Sequence, residues 1–444
     1  MFLNSRTTGT VLAGGVAAGS ALWWWRGSQE GSELHLGSSG GSSAGGGIGR
    51  GLKLLSAHVV FRHGARTPIR PWLPELMQPG EATIDWAKTV PAEEDRDARI
   101  PVYIRNVSVD GAEPVPLRWG KSTWNMSSKV PGHPSGELTE VGFRQAVELG
   151  HTLRERYMIQ HGLVSEVYSP KEVYVRTTSF NRTKQTAQGV LTGMFGAHKP
   201  AERVVLSTIP WAKEVIVGNS RICQSYRQLC DWVEVGIRGQ SVANERQRVM
   251  EALGISAERM HFVYLRDVLV ARKAHDLPLP PRITPELLDD IEVGAVLCFD
   301  DGVLGKNKIP TLKVSCGVML HTLLTNLKSD EEDQPTLFLF SAHDSLVSPL
   351  LAAVGPRDKT WPPFCADVSF ELYQDKDDDK FVKVSSGDKD ILVDGCSAIY
   401  CPLEEFVSSM ERFAVDAEHQ RALCHDSAYQ KPESAEARKA MTYL

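Results

Sequence analysis

Residues 54–61 form an apolar run, rich in β-formers and too short for a self-burying helix, which reads as a buried strand. It ends abruptly in Arg62, His63, Gly64, Ala65, Arg66, Thr67 and Pro68. Two permanent positive charges there flank one imidazole, and the guanidinium fork matches the oxygens of a phosphate or carboxylate. Gly64 lets backbone approach a ligand, and Pro68 stops the segment from continuing as strand or helix. Open α/β sheets bind ligands beyond the carboxyl ends of their strands, where this group falls. A lone Arg-His pair is most often a surface charge beside a loop histidine. The full group at a strand end points instead to anion chemistry.

The arrangement repeats. Residues 172–175 read as a second strand that delivers Arg176, Thr177 and Thr178, and a helical run follows from about 182 to 195. A helix N-terminus attracts anions through its free N–H groups. Residues 206–210 suggest another strand. Residues 337–340 are wholly apolar, as expected of a central strand, and stop at His343 and Asp344 before a helix that ends near Gly355. Taken alone, Asp344 could merely cap that helix. Thr139 is a suitable N-cap for an amphipathic helix reaching residue 157, and residues 311–327 read as one strong helix. Residues 367–373 and 381–385 read as paired strands around an acidic turn, and a last helix is expected near 403–413.

Arg62 to Pro68 fits, position by position, the R-H-G-x-R-x-P signature of the histidine acid phosphatases, which the chain therefore resembles. His343-Asp344 matches the H-D element of that family, and Arg176, in R-x-T, matches its second arginine motif. The resemblance implies an α/β fold: a mixed, mostly parallel sheet flanked by helices, of the histidine phosphatase and phosphoglycerate-mutase-like kind, with a smaller, mainly helical and irregular cap domain. It assigns His63 as the nucleophile that forms a phosphohistidine and Asp344 as general acid, then general base. Arg62, Arg66, Arg176 and His343 would bind the phosphate, with no metal and no cofactor. The chemistry agrees: a neutral imidazole attacks phosphorus well, the alkoxide needs a proton to leave, and arginines neutralise charge as Mg²⁺ does elsewhere.

Segments 359–374 and 395–403 resemble one branch, the lysophosphatidic acid phosphatase type 6 group, with similarity running from about 52 to 424. That implies hydrolysis of lysophosphatidic acid to monoacylglycerol and phosphate, in a mitochondrial protein. A phytase-like or general small-molecule phosphomonoesterase is the alternative. A phosphate-binding module without turnover would be expected to lack His63 or Asp344.

Across 444 residues the reading gives a targeting segment and Gly/Ser linker at 1–50 and an α/β core at 51–75, 135–225 and 310–430. Cap insertions take 76–134 and 226–309, and 431–444 form a polar tail. Tryptophans 86, 119 and 124 fall in the first insertion and Trp72 just ahead of it, where they would line an apolar pocket or anchor loops. A net charge of −6 argues against nucleic-acid binding. The partner is expected to be a small-molecule or lysolipid phosphate, with peripheral contact to a membrane and a monomeric state. The first 29 residues lack acids, carry Arg6 and Arg26, and read as a transit peptide, with a secretory signal as the alternative. Eight cysteines lack zinc spacing; Cys396–Cys401 and Cys223–Cys230 are close enough to bridge, and free buried thiols fit as well. Asn106, Asn125 and Asn181 begin sequons.

Overall fold

The structure, a computed structural model, describes residues 51–69, 84–91, 99–119, 133–196, 198, 200–219, 222–229, 242–256, 260–304, 308–355 and 360–426. The expected leader and linker, Trp72, Trp124, Asn125, Cys230 and the expected tail lie outside them. The strands are β1 (Lys53–Arg62), β2 (Val102–Asn106), β3 (Val115–Pro116), β4 (Val173–Thr177), β5 (Val204–Thr208), β6 (Leu337–Ala342), β7 (Asp367–Gln374), β8 (Lys380–Ser386), β9 (Lys389–Ile391) and β10 (Tyr400–Pro402). They form one sheet in the order β10-β8-β7-β1-β6-β4-β5-β2-β3, with β9 on β8. Pairing is parallel from β1 through β6, β4 and β5 to β2, and antiparallel at both margins. This is the mixed α/β sheet expected from the sequence.

Strand alternation separates two apolar layers. Val60 and Phe340 face one side, where they meet Leu320, Leu323, Leu346 and Leu350. Val59, Phe61 and Leu339 face the other, where they meet Ala146, Leu153, Val190 and Leu191. Helices therefore cover both faces, and β1 beyond its first few residues and all of β6 are buried and mainly apolar because neither face reaches water. The covering helices are α1 (Glu140–Arg154) and α2 (Asn181–Phe195) on the second face. The Thr139 hydroxyl caps α1 by accepting from the Gly142 N–H, as its sequence position suggested.

Helices α3 (Gln224–Leu229), α4 (Ala243–Leu253), α5 (Phe262–Ala274) and α6 (Pro285–Leu304) follow. Of these, α4, α5 and α6 supply Val249, Phe262, Leu269, Ile291 and Phe299 to a separate apolar cluster, which also takes in Trp361. The single helix expected over 311–327 is two, α7 (Lys308–Ser315) and α8 (Gly317–Lys328), broken at Cys316. Beyond come α9 (Asp344–Val354), α10 (Leu403–Glu411) and α11 (Ala417–Cys424).

Some expectations need correction. Residues 102–106 and 115–116, assigned to an irregular cap insertion, extend the main sheet, with β2 parallel to β5. Only Val102 of β2 is buried, and so short a one-sided strand is lost among prolines and glycines. Cys223 pairs not with Cys230 but with Cys424, 201 residues away, tying the start of α3 to the end of α11. Cys396–Cys401 is bridged as the spacing allowed. Trp86 and Trp119 are both buried anchors: Trp86 packs on His275, and Trp119 lies against Phe143 and donates to Gln188.

His58 is a fold-level oddity. It lies in the middle of β1, fully buried and stacked on Phe338 at 4.3 Å, and neither ring nitrogen has a hydrogen-bond partner. Burial brings its pKa down to about 3. The unfolded chain takes up a proton below about pH 6.5, which the folded state refuses. Stability is therefore whole above pH 6.5 and lost progressively as pH falls toward 3. Melting curves from pH 7 to 4 should show a steep loss for the native chain and a shallower one for His58→Leu; equal slopes would exclude His58 as the cause.

Candidate active site

The register sets the site. Arg62 lies opposite Ala342, and Thr177 opposite Ser341, so β1, β6 and β4 end at one level. The next residues, His63, His343 and Thr178, come together at this carboxyl edge. The loop after β1 is held by both covering helices: the Gly64 N–H donates to Thr186 of α2, and that of Ala65 to Gln145 of α1. A Cβ on Gly64 would run into the Gly142 carbonyl, and one on Gly142 into that of Ala65. The small residue at 64 therefore serves close packing against α1, where the sequence suggested approach to a ligand.

His63 is buried, and its Nδ1 lies 2.8 Å from its neighbour's carbonyl, Gly64 O. A carbonyl only accepts, so Nδ1 carries the hydrogen and Nε2 keeps the lone pair. Burial holds the ring's pKa well below the usual imidazole range, and Arg182, Arg62, Arg66 and His343 push the same way. The imidazole thus stays neutral at acidic pH.

His343 stands edge-on to it, ring centroids 5.6 Å apart. The Thr183 hydroxyl donates to the backbone carbonyls of Thr178 and Phe180, so it must accept from the Thr178 hydroxyl 2.8 Å away. Thr178 Oγ1 in turn accepts from His343 Nε2 at 3.0 Å. Neutral His343 therefore carries its hydrogen on Nε2, and only protonation adds a second donor. Burial first, then Arg182, keeps it neutral, with Asp344 opposing.

Asp344 begins α9 without capping it through its side chain. Its Oδ2 accepts from Arg62 and from the Trp361 indole, each at 2.9 Å, and its Oδ1 from the Ser345 N–H. Burial pushes this carboxyl up, but Arg62, the indole N–H, Arg66 and His343 together outweigh it and bring the pKa down to about 2. Arg66 pairs with Asp267 of α5 at 2.8 Å.

Arg176 departs from expectation. Its guanidinium bonds both oxygens of Glu214, at 2.8 and 3.0 Å, and the Thr177 carbonyl. Glu214 is itself fully buried and also accepts from the N–H groups of Val215 and Ile216. Arg176 is a structural cation whose charge is already matched. The site's further cation is Arg182, in the first turn of α2. It is the foremost charge acting on both His63 and His343. The Nε atoms of Arg62, Arg66 and Arg182 are all buried without a hydrogen-bond partner. Orphaned buried donors of one sign mark where an anion is missing. Besides Arg182, sequence reading also passed over Asp267 and Trp361, and it named Thr178 without its bond to His343. One signal was available for Arg182, since a cation in a helix's first turn opposes the macrodipole and needs a reason to be there.

Arg182→Ala should cut kcat/KM by roughly 10²–10³, the scale of losing one charge-stabilising donor, with little change in melting temperature. Arg176→Ala should instead strand the Glu214 carboxylate and cost roughly 3–5 kcal/mol of stability. Thermal melts beside steady-state kinetics separate the two; a reversed pattern would return Arg176 to the site.

Residues 53–263 match the sequence profile of the Histidine phosphatase superfamily (branch 2). Lysophosphatidic acid phosphatase type 6 of Homo sapiens is 29% identical over 384 residues, which covers 84% of this chain and 86% of the relative. Lysosomal acid phosphatase of Bos taurus is 28% identical over 301 residues, covering 62% of this chain and 70% of the relative. Among solved structures, Hafnia alvei phytase in complex with tartrate superposes with a TM-score of 0.53 at 15% identity, covering 86% of this chain and 100% of the phytase. At that identity the likeness speaks for the fold alone. Sequence along most of the chain and the architecture of the sheet agree on a histidine acid phosphatase, a phosphoric monoester hydrolase, whose residues 53–263 carry the branch 2 profile of the histidine phosphatase superfamily.

Proposed function

We propose that the enzyme works through a phosphohistidine on His63 and that its substrate is a lysophospholipid phosphate of the lysophosphatidic acid type. The observation that carries the mechanism is the ring of orphaned guanidinium Nε–H groups on Arg62, Arg66 and Arg182 around an imidazole whose free lone pair is on Nε2. Such a ring draws in a phosphate and aligns it for attack. In acid, a phosphomonoester carries one proton, its second pKa being roughly 6. As the phosphate oxygens take over Arg62, Asp344 loses the partner that most holds its proton affinity down. The substrate's proton then passes to Asp344. His63 Nε2 forms the N–P bond, the P–O bond to the leaving group breaks, and the leaving oxygen takes the proton from Asp344. Water, giving a proton back to Asp344, attacks phosphorus and breaks the N–P bond.

For the leaving group, an aromatic wall supports a lipid. Phe364 lies 6.0 Å from His63, Phe180 lies 5.2 Å from His343, and Trp211 meets Phe180 at 4.9 Å. Phe364 and Phe180 also lie beneath Arg62 and Arg182, each at 4.4 Å. Apolar rings backed against the cations suit a small phosphate head joined to an acyl chain. The two arginines nearest the helical cluster are already matched by Asp344 and Asp267, which disfavours a polyphosphate. The relatives named lysophosphatidic acid phosphatase type 6 give independent support.

Lysophosphatidic acids of increasing chain length should gain in kcat/KM by up to about fourfold per methylene while the added carbon is buried, at about 0.8 kcal/mol each. Phytate should be a poor substrate. A flat chain-length series with phytate preferred would overturn the lipid assignment. Asp344→Asn should slow lysolipid hydrolysis by roughly 10²–10⁴ but nitrophenyl phosphate far less, because only the alkoxide needs the proton. An equal loss on both would argue against Asp344 as the acid.

A further inference from the structure

We infer that Trp361 is a positioning residue for the proton donor: its indole N–H holds Asp344 Oδ2 in place while Arg62 exchanges that oxygen for the substrate's phosphate. The inference rests on Asp344 being the general acid.

In the substrate-free site, Asp344 Oδ2 has two donors at equal distance, Arg62 NH2 and Trp361 Nε1, both at 2.9 Å. They differ in what holds them. Arg62 is a phosphate-binding candidate with an orphaned Nε, so substrate competes for it. Trp361 has no such second task. Its ring is 9% exposed, meets Phe299 at 4.2 Å and lies under the Arg266 guanidinium at 4.5 Å. Arg266 is locked in turn by a forked pair of bonds to Glu292, at 2.7 and 2.8 Å. The indole is thus clamped between the helical cluster and a fixed cation. When Arg62 turns to the phosphate, Trp361 still holds Oδ2, and the Ser345 N–H still holds Oδ1. The carboxyl cannot rotate, and the Oδ2 lone pair that Arg62 leaves is the place for the transferable proton.

The surrounding segment supports this. Within residues 360–364, the Pro362 carbonyl accepts from Arg62 at 2.6 Å and the Phe364 ring lies beneath the same guanidinium. From α5, Arg266 covers Trp361 while its neighbour Asp267 holds Arg66. The titratable and charged groups acting on Asp344 are Arg62 at the end of β1, Arg66 in the loop after it, His343 just before Asp344 in sequence and Arg182 from α2. Trp361 supplies the neutral donor among them.

Trp361→Phe keeps the ring and removes the N–H. Genetic incorporation of 3-benzothienylalanine at 361 does the same with nearly the shape of indole, and serves if the phenylalanine variant does not fold. With either, kcat for lysophosphatidic acid should fall about tenfold or more, the scale of one hydrogen bond to a charged group. Nitrophenyl phosphate should fall less than about threefold on the same scale. The alkaline limb of the lysolipid kcat–pH profile should move to higher pH, because a carboxylate that has lost a donor holds its proton longer. In an Asp344→Asn background the change at 361 should add nothing to the difference between the two esters. Equal losses on both esters with an unmoved limb would mean that Trp361 only packs, and would sink the inference. If Asp344→Asn itself fails to discriminate the esters, the proton-donor reading has failed instead.

Discussion

Gathering guanidinium groups around a buried imidazole sets like charges against one another where water cannot screen them. Burial and then Arg66 bring Arg182 down to about 9, and burial does most to bring Arg62 down to about 10. Burial first, and then the same field, keeps His63 neutral at a pH where a solvated histidine is charged. One arrangement thus does two things. It prepares a nucleophile that works in acid, and it leaves a cationic hollow that only an anion relieves. Asp344 and Asp267 stand in for that anion at Arg62 and Arg66 in the empty site. A phosphate displaces those carboxylates from the arginines, and in doing so raises the proton affinity of the carboxyl group that must next act as an acid.

So concentrated a charge needs a rigid support. It comes from three parallel strands that end in register and from two helices that approach the loop after β1 closely. The contact between Gly64 and Gly142 lets α1 lie against that loop. The Arg176–Glu214 pair sits one step back in the sheet, buried and already neutral, and adds structure without entering the hollow. On the other side the helical cluster reaches the site through Asp267 and Trp361, so its fit to the sheet bears directly on Arg66 and Asp344.

Much of this was legible in the sequence where chemistry and secondary structure coincide. Apolar runs that stop at Arg62-His63 and at His343-Asp344 give strand, strand end and site together, because a strand fixes where its last residue points. Arg176 misled for the same reason. It too ends a strand, but its partner Glu214 lies 38 positions on, across a contact that no local pattern encodes. Arg182 was hidden in a helix whose amphipathic pattern looked ordinary. The edge strand β2 and the Cys223–Cys424 link depend on tertiary neighbours, since pairing in a sheet and between cysteines is set by the whole fold. The role of Trp361 could not be read either, because a tryptophan in a Pro-rich loop looks the same whether or not its N–H finds a carboxylate.

The most direct measurement is to stop turnover of a labelled nitrophenyl phosphate in alkali, where phosphohistidine survives, and to map the phosphoryl group by peptide mass spectrometry. The account predicts a single modified residue, His63, at a level approaching one phosphoryl group per chain under saturating substrate. A phosphoryl group on any other side chain, or undiminished labelling of a His63→Ala protein, would contradict it.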